Sequence, residues 1–168
     1  MALSARRRVE LAMIAAMLYR CAAIAFARDA DTREDGAMPA DNARCLDLLR
    51  IAAHEPIADP DPVVSARLAR RADRASRDAL APYEQRPMAV VFSLVLYWLD
   101  DELRAGRLEL VEGSPAAEAI QSLIDMLSGE HPDLMAAVER SARKQVPRFR
   151  AHLARLGYFT DTIGRSAA

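Results

Sequence analysis

Residues 87–104 read PMAVVFSLVLYWLDDELR, and this stretch decides the fold. Large apolar side chains crowd residues 88–99, and Ser93 is the one conventional polar break among them. A helix that is apolar on every side must be surrounded, because it has no face that can be turned to water. The apolar part is shorter than the ~20 residues that a membrane span requires. The stretch therefore predicts the buried central helix, about residues 88–104, of a soluble bundle without a transmembrane span.

The composition of the whole chain favours an all-α fold. Its 168 residues, 52% hydrophobic and 28% charged, fit one globular domain with a sizeable core. Alanine is abundant, whereas the chain has only 6 glycines and 5% aromatic residues. Strong helix formers thus dominate and residues that favour strands are scarce. We predict a single-domain bundle of five to six helices over residues 1–168.

Capping residues and prolines divide the remainder into elements. Asp41 and Asp61 are predicted N-caps, and Pro62, Pro115 and Pro132 are placed at helix starts. Three prolines in residues 55–62 predict a stiff spacer with polyproline II character between two helical pairs. The predicted helices are 41–54, 62–80, 115–129 and 132–156, with a short extended segment at 108–112 and a frayed tail at 160–168.

The first 27 residues admit different interpretations. Residues 1–8 are basic, residues 11–19 are apolar, and Ala25-Phe26-Ala27 resembles a signal-peptidase site. However, the polar residues of the segment share an arc of about 80°, which is typical of a packed bundle helix. Those residues are Arg6, Glu10, Arg20, Arg28 and Asp31. We expect a retained helix and a cytoplasmic protein; the alternatives are a cleaved signal, hence a secreted or periplasmic protein, and a membrane-surface helix.

Charge is distributed unevenly behind a net value of −1. Residues 1–62 carry about −2, 63–95 about +3, 96–133 about −7 and 134–168 about +5. In one interpretation, acidic and basic helices pack side by side and neutralise one another. In the other, a basic face is offered to an acidic partner.

A row of arginines on the third helix is the most specific surface feature. At 100° per residue, five arginines fall within about 120° of arc. Guanidinium groups at this spacing can follow a phosphate backbone or bind an acidic patch on another protein. Aromatic side chains, on which single-stranded nucleic acids stack, do not interleave with them. We call this set the arginine face, which consists of Arg67, Arg70, Arg71, Arg74 and Arg77.

A second basic group lies on the last helix. Residues 115–146 form two predicted helices joined by a short turn, an arrangement that resembles a helix-turn-helix, although Pro132 makes the match poor. The second of these helices carries three further candidate partner-binding residues, Arg140, Arg143 and Lys144.

Signatures of catalysis are lacking, and we assign no catalytic, cofactor-binding or metal-binding residue. Adjacent helical residues splay by 100°, so Asp100, Asp101 and Glu102 cannot converge on one ion unaided. We interpret this run as a solubilising last turn of the central helix. Two other clusters, residues 54–55 and 130–133, read as polar helix ends. Cys21 and Cys45 fall on apolar helical faces and are read as free thiols in a reducing cytoplasm.

We therefore expect a non-enzymatic helical adaptor, regulator or assembly subunit that acts through protein contacts. Its partner would present an acidic surface, no cofactor is expected, and a homo-oligomer is compatible with the sequence. The first alternative is a nucleic-acid-binding accessory subunit that uses the arginine face on helix 63–80. The second is a small helical enzyme or ligand-binding bundle, which needs a deep pocket beside Trp98 or converging histidines and carboxylates.

Overall fold

A computed structural model of the chain describes residues 3–129 and 132–160, except for the side chains of 126–129, 132–135 and 137. The described residues form six α-helices and two short 3-10 turns, at Glu55–Ile57 and Ala81–Tyr83, and contain no strand. The all-α bundle predicted from the sequence is thus confirmed. The helices are α1 (Ala5–Thr32), α2 (Ala40–His54), α3 (Pro62–Leu80), α4 (Met88–Arg104), α5 (Pro115–Gly129) and α6 (Pro132–Arg155).

Two helices share the middle of the bundle. The apolar helix α4 is buried from Val91 to Leu99 apart from the half-buried Leu96 and Tyr97, as its sequence predicts. It packs along α6 and across α1. Helix α1 packs on α2, α3 and α4. Its side chains Met13, Met17 and Leu18 are fully buried.

Local signals set most helix starts correctly. Asp61 caps α3, and its side chain accepts a hydrogen bond of 2.9 Å from the Val63 N–H. Ser114 likewise accepts a hydrogen bond from the Ala117 N–H before α5. The prediction for α2 was wrong in detail, because Pro39 occupies the N-cap position and Asp41 lies in the first turn. A carboxylate in the first turn still stabilises the helix through its dipole.

The connecting segments differ more from expectation. Residues 55–57 of the predicted stiff spacer form a 3-10 turn against α1, because Ile57 is buried in a small cluster with Val9 and Leu68. Residues 108–112 form no strand; Leu108 instead packs into the core. Most of the predicted frayed tail, residues 161–168, lies outside the described residues.

Two carboxylates that the sequence places on polar surfaces are buried. Glu102 accepts hydrogen bonds from Arg107, at 2.7 and 3.2 Å, and from Arg150 at 3.0 Å. Glu10 accepts a hydrogen bond from the Phe159 N–H and forms an ion pair with Arg7 at 3.6 Å. The interpretation of Glu102 as a solubilising residue was wrong. Its carboxylate joins the end of α4 to α6 and to the following loop.

Helix α1 is also the one described helix that is long and apolar enough to cross a membrane. Length and composition alone give this result, and a core helix or a signal sequence near an N-terminus has the same properties. About 56% of its most apolar window is buried by the rest of the chain.

Both cysteines are buried free thiols, and we expect them to resist thiol reagents in the folded protein. Burial raises the pKa of Cys21 to about 12 and that of Cys45 to about 11. The thiolate is the reactive form, and at pH 8 both groups remain neutral and covered. Titration with an aromatic disulfide, which releases a coloured thiolate for each thiol that reacts, should detect no thiol in the native protein and two thiols per chain in denaturant. Rapid native-state reaction of either cysteine would contradict the buried assignment.

Candidate anion-binding face

Helix α3 presents two contrasting sides. Its buried side is made of small and aliphatic residues that pack against α1, and these are Leu68, Ala72, Ala75 and Ala79. Small residues allow α3 to approach α1 closely. The opposite side carries the arginine face, and all five of its side chains are exposed.

Four of the five arginines have no partner among the residues that the structure describes. Arg77 forms an ion pair with Asp73 at 2.8 Å, one turn earlier on the same helix. Asp73 is shared, because it also pairs with Arg20 of α1 at 2.5 Å. In the part of the chain that the structure describes, no side chain or backbone group hydrogen-bonds or pairs with the remaining four, Arg67, Arg70, Arg71 and Arg74.

The arginine side chains and Asp73 surround an open depression of about 340 Å³. From Arg67 to Arg77 the face extends about 15 Å along the helix axis, at 1.5 Å per residue. Because one carboxylate serves both Arg20 and Arg77, the depression keeps a strong positive charge. Such a surface attracts carboxylates or phosphates.

Of the two interpretations of the uneven charge, the structure supports mutual neutralisation of packed helices for α6 but not for α3. Basic α6 is neutralised in part by acidic α4, since Arg150 pairs with Asp101 at 3.4 Å and with Glu102 at 3.0 Å. Helix α3 is not neutralised in this way. It packs mainly on α1, whereas α5, in the acidic part of the chain, packs on α2 and α6.

The second predicted basic group lies in a different place. Arg140, Arg143 and Lys144 are exposed on α6, and Arg143 pairs with Glu139 at 3.0 Å while its guanidinium lies over the Tyr97 ring at 4.4 Å. Helix α6 approaches α3 near His152, whose Nε2 lies 2.9 Å from the Asp78 carbonyl oxygen. Arg140 is twelve residues, or about 18 Å, from that point along α6. The structure therefore does not bring the two basic groups together.

Groups considered for metal or acid–base chemistry do not converge. Among residues 3–129 and 132–160, no group of three or more histidine, cysteine or acidic side chains could hold a metal ion. His54 hydrogen-bonds to the Arg50 carbonyl oxygen of its own helix at 2.8 Å. Residues 130 and 131 lie outside the described part. Trp98 is fully buried between Phe149 and Phe159, so it does not form an exposed aromatic patch.

Sequence reasoning missed an apolar pocket beside the arginine face. It has a volume of about 140 Å³ and is lined by residues of α1, α3 and α4 and of the segment between α3 and α4. Its members are distant in sequence, and a single exposed isoleucine, Ile24, carries no signal by itself. The lining residues are Arg20, Cys21, Ile24, Arg77, Leu80, Tyr83, Glu84, Met88 and Val91. We call this set the apolar pocket.

Comparison of the chain with protein-family models, with curated proteins and with solved structures found no match. The geometry of the chain itself therefore carries the functional argument.

Proposed function

We propose that this protein is a non-enzymatic helical adaptor or assembly subunit that binds an acidic surface of another protein through its arginine face. The observation that carries the proposal is the set of four exposed guanidinium groups on α3 that lack partners in the described residues. Some guanidinium groups elsewhere in the molecule join elements together, as Arg8 does with Asp59 and Arg150 with Glu102. Those of α3 are presented outward.

The arginine face carries an electrostatic cost that the fold itself does not offset. Arg67, Arg70, Arg71 and Arg74 are neighbours at three- and four-residue spacing, where each like-charged pair destabilises a helix by roughly 0.2–0.5 kcal/mol. The carboxylates of a bound partner would attract the arginines and so offset the repulsion between them.

Removing the repulsion should not harm the fold. The double substitution Arg71→Gln and Arg74→Gln is expected to leave the free energy of unfolding unchanged or to raise it by up to about 1 kcal/mol. Chemical denaturation followed by circular dichroism measures this. A loss of more than 1 kcal/mol would show that these side chains support the bundle, which would count against a role in binding.

Binding itself is tested with a labelled peptide of about ten glutamates, with fluorescence anisotropy as the readout. The wild-type protein should bind the peptide with an affinity that falls as salt increases. Replacing Arg70 and Arg74 by glutamine should weaken binding about thirtyfold, since two charge-assisted contacts of roughly 1 kcal/mol each are lost and about 1.4 kcal/mol corresponds to a tenfold change in affinity. The matched control, Arg140→Gln with Lys144→Gln, removes the same charge from α6 and should bind like wild type.

A labelled DNA duplex of about 15 base pairs tests the alternative function on the same protein. A phosphate backbone would be gripped by the same arginines, with a steep dependence of affinity on salt. Tight duplex binding without peptide binding would replace the proposed function by the nucleic-acid alternative. Equal peptide binding by wild type and the Arg70/Arg74 variant would reject the arginine face altogether.

We also propose that residues 1–27 are retained in the working protein, which would then act in a reducing cytoplasm. The support is the packing of α1, whose buried residues contact three other helices. Cleavage after Ala27 would remove Met13, Met17 and Leu18 from the core. Intact-mass measurement of the protein from its native cell distinguishes retention from cleavage.

A further inference from the structure

We propose that the partner segment is an acidic amphipathic helix that places one large apolar side chain in the apolar pocket while its carboxylates lie along the arginine face. This inference rests on the proposed function and specifies its partner. It joins two neighbouring features: a row of five arginines, four of which have no partner among the described residues, and an apolar pocket at the Arg77 end of that row.

The apolar pocket is suited to one side chain. Leu80, Tyr83, Met88 and Val91 line it, and its volume of about 140 Å³ is close to that of an engineered protein cavity that binds benzene. A leucine or phenylalanine side chain is therefore of the right size. At its rim, Ile24 is 42% exposed, so the pocket is open to a side chain from outside.

The pocket and the arginine face are continuous. Arg77 lines both the depression between the arginines and the apolar pocket. Arg20, which also lines the pocket, is held by hydrogen bonds to Asp73 and to Ser76, the latter at 3.2 Å. A ligand that lies over Arg77 thus contacts the arginine face on one side of this residue and the apolar pocket on the other.

The dimensions favour a helical peptide. The arginine face is about 15 Å long, which equals about three turns of a partner helix. Carboxylates spaced three and four residues apart on such a helix would face the arginines, whose spacing is the same. One apolar residue a turn beyond the carboxylates would reach the pocket, as in other helix-in-groove complexes.

Other anionic ligands fit the two features less well. A nucleic acid would engage the arginines but has no aliphatic side chain for the pocket. A single lipid headgroup would need only one or two of the four free guanidinium groups. The combination of a long cationic row with a pocket for one side chain therefore favours the acidic helix.

The experiment compares three labelled probes on the full chain. The first is a helical peptide of about 18 residues that carries four glutamates at spacings of three and four residues. One phenylalanine lies a turn away from the glutamates. The peptide is prepared in two versions, with the phenylalanine before or after the glutamates in the sequence. The second has alanine in place of phenylalanine. The third is a vesicle of phosphatidylserine and phosphatidylcholine.

Wild type should bind the better phenylalanine peptide at least tenfold more tightly than its alanine counterpart, as burial of one large apolar side chain allows. The substitution Ile24→Asn should reduce this preference to less than threefold, while binding of the alanine peptide stays unchanged. The control Ile51→Asn alters an isoleucine of similar exposure, 47%, on α2 and should keep the full preference. Circular dichroism verifies that both variants fold.

The outcomes separate the two proposals. If wild type binds both peptides equally, the pocket inference is wrong and the proposed function stands. If neither peptide binds, both are wrong. Binding to vesicles without binding to either peptide would identify the face as a membrane-surface site and overturn the acidic helix.

Discussion

Replacing Glu102 by alanine should lower the free energy of unfolding by about 3 kcal/mol, because the substitution removes the carboxylate that pairs with Arg107 and leaves Arg150 with Asp101 alone. The Glu102 side chain is only 3% exposed and binds both Arg107 and Arg150. Removing one partner of a buried ion pair costs roughly 3–5 kcal/mol. The lower end applies here, since the Arg107 and Arg150 side chains are 25% and 40% exposed and can recover hydration. Urea unfolding monitored by circular dichroism provides the measurement.

The matched control for this prediction lies in the same turn of α4. Asp100 pairs with Arg104 at 3.0 Å, and the two side chains are 44% and 79% exposed. Exposed pairs of this kind contribute about 0.5 kcal/mol or less, so Asp100→Ala should be nearly silent. Should Glu102→Ala prove no more destabilising than Asp100→Ala, the buried charge cluster would not be stabilising the bundle.

Replacing Trp98 by alanine should cost about 3–5 kcal/mol, because it empties the largest fully buried site in the described core. The indole packs edge-on against Phe149, with ring centroids 5.6 Å apart, and against Phe159 at 4.8 Å. Phe159 reaches this position with a φ of +54°, which is unfavourable for a bulky residue. The loss of Trp98 would therefore also weaken the contact that holds the chain after α6. Thermal and urea unfolding measure the effect.

A phenylalanine at position 98 tests the origin of the Trp98 contribution. The indole N–H is buried without a hydrogen-bond partner among the described groups, and an unsatisfied polar group costs about 1–3 kcal/mol. Trp98→Phe removes that cost and keeps an aromatic ring, so it should destabilise far less than Trp98→Ala. The loss of stability caused by Leu96→Ala, at a half-buried position on α4, serves as the comparison for the two Trp98 variants. If the alanine and phenylalanine variants at Trp98 lose equal stability, packing of the aromatic ring is not the source of the stability that Trp98 contributes.

Much of the fold was predictable because its signals are local. The start of α3 at Pro62 follows from a capping aspartate and a proline, and both act within one helical turn. The apolar run of α4 requires burial whatever surrounds it. Such signals do not determine which helices become neighbours, and the sequence therefore did not indicate that α1 contacts α2, α3 and α4.

The candidate site was predicted in part for the same reason. Helical periodicity places Arg67, Arg70, Arg71 and Arg74 on one side of α3, and the buried alanines on the other side determine which side faces out. Whether the acidic part of the chain would cover those arginines depends on packing between distant segments. The apolar pocket depends on it too, since Ile24 and Met88 come from separate helices.

The sequence by itself determined an all-helical bundle, the buried character of α4 and the row of arginines on one face of α3, because hydrophobic periodicity and capping act over a few residues. Only the tertiary structure decided that Glu10 is buried beside Arg7 and Glu102 beside Arg107 and Arg150, that α3 packs mainly on α1, and that an apolar pocket adjoins Arg77. These outcomes depend on which surfaces meet when helices far apart in sequence pack together. The energy of each contact is set by that packing, and no single segment encodes it.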